Sequence, residues 1–257
     1  MNRNPHVPEL FLMAVFFLLS LSALAADNQC VNCHQDSDFF VEYPKLYEYY
    51  QQWLGSPHEK TAVLCDDCHG GDADTTSIKQ AHIGVLPMSN SKSALHYQNQ
   101  PETCGQCHSE VRSQFVRSQH FAELSGQRSA PTCTTCHPAM SRRPDYRLIV
   151  LNACRNCHGE GNSENLPMIT DQAESLFHQL NIAGGLLSWT RIHYESAGWP
   201  DGSRKRLREL DTRHHKILSW VHQFDLQESE AATTEMLGEL RAILDEAQRA
   251  HKRNTGD

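Results

Sequence analysis

Cysteine and histidine recur along this chain in one fixed order. Cys30-x-x-Cys33-His34, Cys65-x-x-Cys68-His69, Cys104-x-x-Cys107-His108, Cys133-x-x-Cys136-His137 and Cys154-x-x-Cys157-His158 repeat the pattern C-x-x-C-H and use all 10 cysteines. Histidine is 16 of 257 residues, so five unrelated pairs would all be followed by histidine with a chance on the order of 10⁻⁶. The histidine therefore belongs to the motif. Disulfides would explain an even cysteine count in an exported chain, but they give the histidine no role. Zinc ribbons use such pairs two at a time, and five pairs leave one over. Covalent c-type haem uses every residue. Each thiol adds to one porphyrin vinyl group, and the next imidazole falls under the iron as its proximal ligand. The expectation is five haems c, attached through these cysteines, with His34, His69, His108, His137 and His158 as proximal ligands.

The other histidines decide what such irons could do. Two axial imidazoles leave an iron little geometric change between its oxidation states, which suits electron transfer; an open sixth position suits substrate chemistry. Ser56-Pro57-His58 and Ser118-Gln119-His120 share a Ser-x-His step ahead of the next motif, and His82 and His96 lie between the second and third motifs. His58, His82, His96 and His120 are therefore expected as distal ligands. A fifth must come from the cysteine-free tail, where His178, His193, His214, His215 and His222 are the alternatives.

The segment Cys30 to His158 is about half of the chain and too short to enclose five porphyrins separately. Apolar residues make up 39%, below the usual ~45–50%. A mostly α, loop-rich segment of short helices is expected, with porphyrins forming much of its core and folding coupled to their attachment. After it, "GEGNSENLP" is rich in turn residues and marks a boundary. The domains are then a signal peptide at 1–26, a haem-bearing domain at 27–161 and a helical region at 162–257. In the tail, Asp171-x-x-Glu174 resembles a capping box before a helix reaching about Ala197. "GWPDGS" breaks the chain, and further helices follow at about Arg204–Phe224 and Glu228–Lys252. The last carries Met236, Leu237, Leu240, Ile243, Leu244 and Ala247 on one face. Gly184-Gly185 weakens the first helix or admits a close neighbour. A helical hairpin or bundle capping the haem stack is the expected role; an oligomer interface is the alternative.

The run Leu10 to Ala26 ends in small residues, with Ala23-Leu24-Ala25 as a cleavage site, and reads as a secretory signal peptide. This implies a periplasmic or other extracytoplasmic location, with membrane contact only if the segment is retained as an anchor. The formal charge of −8 argues against nucleic acid as a partner and favours steering toward a basic patch on a redox protein.

These features together resemble the multihaem cytochromes c: five C-x-x-C-H motifs, Ser-x-His ahead of a motif, "CHGG" and "CHGE", and a helical tail. More narrowly they look like the superfamily of cytochrome c554, octahaem hydroxylamine oxidoreductase and pentahaem nitrite reductase, over about residues 30–240. In that group a histidine at the end of a C-terminal helix, followed by a long helix, reaches back to a haem. "WVHQFDLQESEAATTEML" looks like that element, and the resemblance implies His222 as the fifth distal ligand. Two departures matter. The C-x-x-C-K motif typical of the nitrite reductase is absent, and Tyr194 is a poor counterpart of the cross-linked tyrosine of the hydroxylamine enzyme. The expected function is single-electron carriage between a donor such as a quinol dehydrogenase or another cytochrome and an acceptor such as a terminal reductase. The alternative is a reductase or oxidase of small nitrogen or sulfur oxyanions at one five-coordinate haem. Intact-mass spectrometry of the mature protein is expected to show the added mass of five iron porphyrins and no free thiol; unmodified cysteines at the paired positions would refute the haem assignment.

Overall fold

The computed structural model describes residues 28–126, 130–137, 149–161, 166–195 and 202–255. The signal-peptide expectation, residues 162–165 of the "GEGNSENLP" boundary and residues 198–201 of the "GWPDGS" break fall outside these residues, as do the side chains of His193, Tyr194 and His251. The described chain is mostly helical and contains no strand. No described helix is long and apolar enough to cross a membrane.

The chain divides into two compact units. One draws on residues up to Gln51 and on Leu64–Gly84; the other draws on Gln52–Val63 and on Val85 onward. Helices α1 (Gln29–His34), α2 (Ser37–Glu42) and α3 (Pro44–Trp53) come first, and α3 runs out of the first unit into the second. The short α4 (Pro57–Lys60) belongs to the second unit, and α5 (Cys65–His69) and α6 (Ile78–Ala81) return to the first. Within the first unit, Asn28 Nδ2 donates to Asp66 Oδ1 at 2.7 Å and the Gln29 amide donates to the Ala73 carbonyl at 2.8 Å. These bonds tie the first motif helix to the second. Gly70 and Gly71 follow that second helix with φ of 69° and 97°, a left-handed exit that favours glycine.

The second unit continues with α7 (Gln100–Gly105), α8 (Ser109–Phe115), α9 (Gln119–Ser125) and α10 (Cys133–Cys136). A π-helical turn at Ile149–Cys154 leads into α11 (Arg155–His158). Three long helices complete it: α12 (Pro167–Glu195), α13 (Ser203–Trp220) and α14 (Leu226–Thr255), with a 3₁₀ turn, Val221–Gln223, between the last two. Their buried stripes alternate steps of three and four residues, the period of a helix seam. Leu176, Leu180, Ala183 and Leu187 meet Leu207, Leu210 and Ile217, and both meet Met236, Leu240 and Ile243. Each leucine buried here contributes about 2 kcal/mol. Arg206–Glu246 at 3.0 Å and Arg213–Glu239 at 2.8 Å bridge these helices at their surface.

Helix boundaries differ from the sequence expectation in ways that have local causes. The first long helix begins at Pro167, whose fixed φ suits a first turn. Asp171 and Glu174 thus lie inside it, and Glu174 pairs with Arg155 of α11 at 3.0 Å instead of capping. The last begins at Leu226 because Asp225 Oδ1 accepts from the Glu228 amide at 3.0 Å. Gly184-Gly185 does not interrupt α12. A Cβ at Gly184 would sit 3.2 Å from Cε1 of the buried His214, whereas one at Gly185 meets nothing within 4 Å. His214 in turn donates from Nε2 to the Leu180 carbonyl at 3.1 Å. Gly184 thus makes room for an imidazole held inside the bundle.

Gly185→Ala is expected to raise the melting temperature, by about 0.5–1 kcal/mol of helix propensity, while Gly184→Ala lowers it by crowding His214. Thermal unfolding followed by circular dichroism checks both, and a rise for Gly184→Ala would overturn the packing role.

Candidate functional site

All five motifs fold as helical turns or at helix ends, in α1, α5, α7, α10 and α11. A helix brings positions i, i+3 and i+4 to one face, so both cysteines and the histidine of a motif point the same way. In the third and fourth motifs the histidine amide donates to the carbonyl of the first cysteine, at 2.9 Å for His108 to Cys104 and for His137 to Cys133. The variable positions also contribute: Asp67 Oδ2 accepts from the Leu64 amide at 2.8 Å and Thr135 Oγ1 from the Thr132 amide at 3.0 Å, closing the N-termini of α5 and α10. None of the ten cysteines is in a disulfide. Among the described residues no group of three or more His, Cys, Asp or Glu side chains could hold a metal ion by itself.

The histidines are arranged in facing pairs. Within the first unit the ring centres of His34 and His82 are 6.3 Å apart. Within the second, His58 faces His108 at 6.3 Å, His120 faces His158 at 6.0 Å and His137 faces His222 at 6.0 Å. Each pair joins a motif histidine to one outside the motifs. A metal–imidazole bond is about 2 Å and the ring centre lies about 1 Å behind the bonding nitrogen, so two imidazoles on opposite sides of one iron have centres about 6 Å apart. The residues present therefore fit a haem iron. Of the ten histidines expected to serve haem, His69 and His96 are not in these ring pairs. His96 is half-buried, and its Nδ1 is buried without a hydrogen bond.

The histidines expected as distal ligands are positioned by two local devices. Ser56 Oγ accepts from the Glu59 amide at 3.2 Å, and Ser118 Oγ from the Phe121 amide at 3.1 Å. Each serine caps a short helix and sets the histidine two positions later in its first turn, which is the physical content of the Ser-x-His step. Ser93 acts similarly before His96: it is buried, and its carbonyl accepts from the His96 amide at 3.0 Å. The second device is a helix end. His82 Nδ1 donates to the Ile78 carbonyl at 2.8 Å, and His222 Nδ1 to the Leu218 carbonyl at 3.0 Å. A carbonyl can only accept, so Nδ1 carries the proton and Nε2 keeps its lone pair. Burial holds the imidazoles of His34, His120, His137 and His222 below the usual histidine range. They are neutral at pH 7, as a metal ligand must be.

The other tail candidates are placed differently. His178 and His215 are exposed, and His214 is committed to the Leu180 carbonyl.

Neighbouring motifs are also joined to one another. The Cys104 thiol hydrogen-bonds to Cys133 and pulls its thiol down to about 7, while Cys136 lies beside Cys154 and burial pushes Cys136 up to about 11. Gln100, fully buried at 1% exposure, joins the third motif to the fourth. Its Oε1 accepts from both the amide and the hydroxyl of Thr134, at 3.1 and 2.9 Å, and its Nε2 donates to the Leu95 carbonyl at 3.1 Å. Sequence reading missed Gln100, because a glutamine in a polar stretch carries no local signal. Gln100→Leu is expected to destabilise the holoprotein by about 1–3 kcal/mol, the cost of leaving a buried polar group unpaired. Gln100→Glu, which keeps the acceptor for Thr134, is expected to lose less. Melting temperatures of the two variants check this ordering.

No family model matches the chain, and no solved structure matches it. It is similar to the C-type polyheme cytochrome OmcB of Geobacter sulfurreducens, in two strains, at 30% identity over 120 residues, which is 45% of this chain and 14% of the relative. The chain thus matches about a seventh of the length of these curated relatives. That likeness, added to the C-x-x-C-H repeats, supports a multihaem c-type cytochrome.

Proposed function

We propose that the chain is an exported pentahaem c-type cytochrome that passes single electrons between redox partner proteins. The observation that carries this reading is the set of four facing histidine pairs at 6.0–6.3 Å, each with one motif member. When bound, each haem c supplies an iron that gains and loses one electron. The chain's own part is to hold and orient. The ten cysteines anchor by thioether bonds, and His34, His69, His108, His137 and His158 are the proximal ligands. His82, His58, His120 and His222 are the distal ligands facing His34, His108, His158 and His137, with His96 as the remaining distal candidate. Bonds from Nδ1 to a backbone carbonyl fix the ring and its tautomer at His82 and His222, so oxidation and reduction demand little rearrangement of the protein there.

Adjacency of attachment points supports a chain of haems within each unit. Cys30 lies near Cys65 in the first, and Cys104, Cys133, Cys136 and Cys154 succeed one another in the second. The segment 27–161 is the haem-bearing part, and 162–257 is the helical part that returns His222 to the fourth motif. A quinol dehydrogenase or another cytochrome would be the donor and a terminal reductase the acceptor. OmcB, similar over part of its length, is itself named a polyheme cytochrome.

Electron paramagnetic resonance of the oxidised holoprotein tests the reading. Only low-spin ferric signals are expected, and His222→Ala is expected to convert one iron to high spin. A high-spin signal equal to one haem in the unaltered protein would overturn the carrier reading in favour of an oxyanion reductase or oxidase.

A further inference from the structure

Phe224 follows the 3₁₀ turn that carries His222, and its backbone is left-handed, with φ 61° and ψ 23°. A bulky residue without a polar side chain rarely adopts this region, and where it does the surroundings impose it. The surroundings here are aromatic. The Phe224 ring stands at 89° to that of His120, with centres 4.3 Å apart, and its other neighbour is Phe115 at 6.4 Å. Phe115 is buried and is itself set edge-on against Phe121 at 5.7 Å.

His120 needs such support. His82 and His222 have Nδ1 held by a backbone carbonyl, whereas Nδ1 of His120 is buried with no hydrogen bond. Nothing polar fixes the rotation of this imidazole about its Cβ–Cγ bond. An edge-to-face contact at 4.3 Å does, because turning either ring brings its edge into the other's face. We infer that Phe224 is the positioning residue for His120. It sets the plane of that imidazole where a hydrogen bond sets the planes of His82 and His222. Because Phe224 and His222 share one turn, the same element positions two imidazoles: His222 opposite His137 and His120 opposite His158. Gln223, between them, hydrogen-bonds to Gln114 and fastens the turn to α8.

This inference rests on the proposed bis-histidine ligation and deepens it. The relative angle of two axial imidazole planes governs the g-anisotropy of low-spin ferric haem, so the readout is spectroscopic. Oxidised holoprotein carrying Phe224→Leu, Phe224→Asn or Phe224→Tyr is compared with the unaltered protein by electron paramagnetic resonance. Asparagine tolerates the left-handed backbone, so Phe224→Asn keeps the turn and loses only the ring. In the Asn and Leu variants the largest g-value of one low-spin signal is expected to shift, with a change in one midpoint potential; the Tyr variant is expected to match the unaltered protein. Phe115→Leu, which loosens Phe224 from its far side, is expected to shift the same signal by less. Unchanged low-spin signals in both the Asn and Leu variants, with haem content intact, would overturn the inference and leave the proposed function standing. A high-spin haem in the unaltered protein would instead count against the proposed function, and Phe224 would still be judged on the low-spin signals.

Discussion

Two imidazoles can serve one iron only if their rings face each other at about 6 Å with the ligating nitrogens unprotonated. The described local structure between Asn28 and Gly161 is consistent with that requirement. The motif turns are short helices because only a helical step puts two cysteines and a histidine on one side of the backbone. The facing histidines come from segments that have no reason of their own to meet. They are held there by a serine cap, a carbonyl behind the ring or an aromatic wedge.

The apolar residues are divided unevenly between the two halves of the described chain. Among the described residues up to Gly161, Phe115 and Leu124 are the buried hydrophobic side chains besides Pro101, while the helical tail has a continuous seam of leucine, isoleucine and methionine. The tail can therefore hold its shape through its own packing, and it presents His222 and Phe224 from the end of a rigid element. Precision at an iron ligand depends on such support. The segment that carries the C-x-x-C-H motifs instead relies on polar ties such as Asn28 to Asp66 and Gln100 to Thr134.

Features coded within a few residues were legible in the sequence. The motif grammar, the Ser-x-His step and the three tail helices each depend on spacing of two to four residues, and the helices lie close to where periodicity placed them. The Asp171 capping box misled because capping residues also serve in ion pairs, and here Glu174 pairs with Arg155 inside a helix that starts at Pro167. Which histidine faces which was illegible, since His137 and His222 meet through tertiary packing that no local pattern encodes. Gln100 and Phe224 were invisible for the same reason. Their value lies in what stands opposite them.

The second unit also claims the stretch Gln52–Val63, which interrupts the first. The Trp53 indole donates to the Val63 carbonyl at 3.0 Å and pins the excursion at its ends, with His58 near its middle facing His108. The chain is thus stitched rather than strung. No single peptide bond divides it into two self-sufficient pieces, and any recombination with one crossover between the units would strand an imidazole on the wrong fragment.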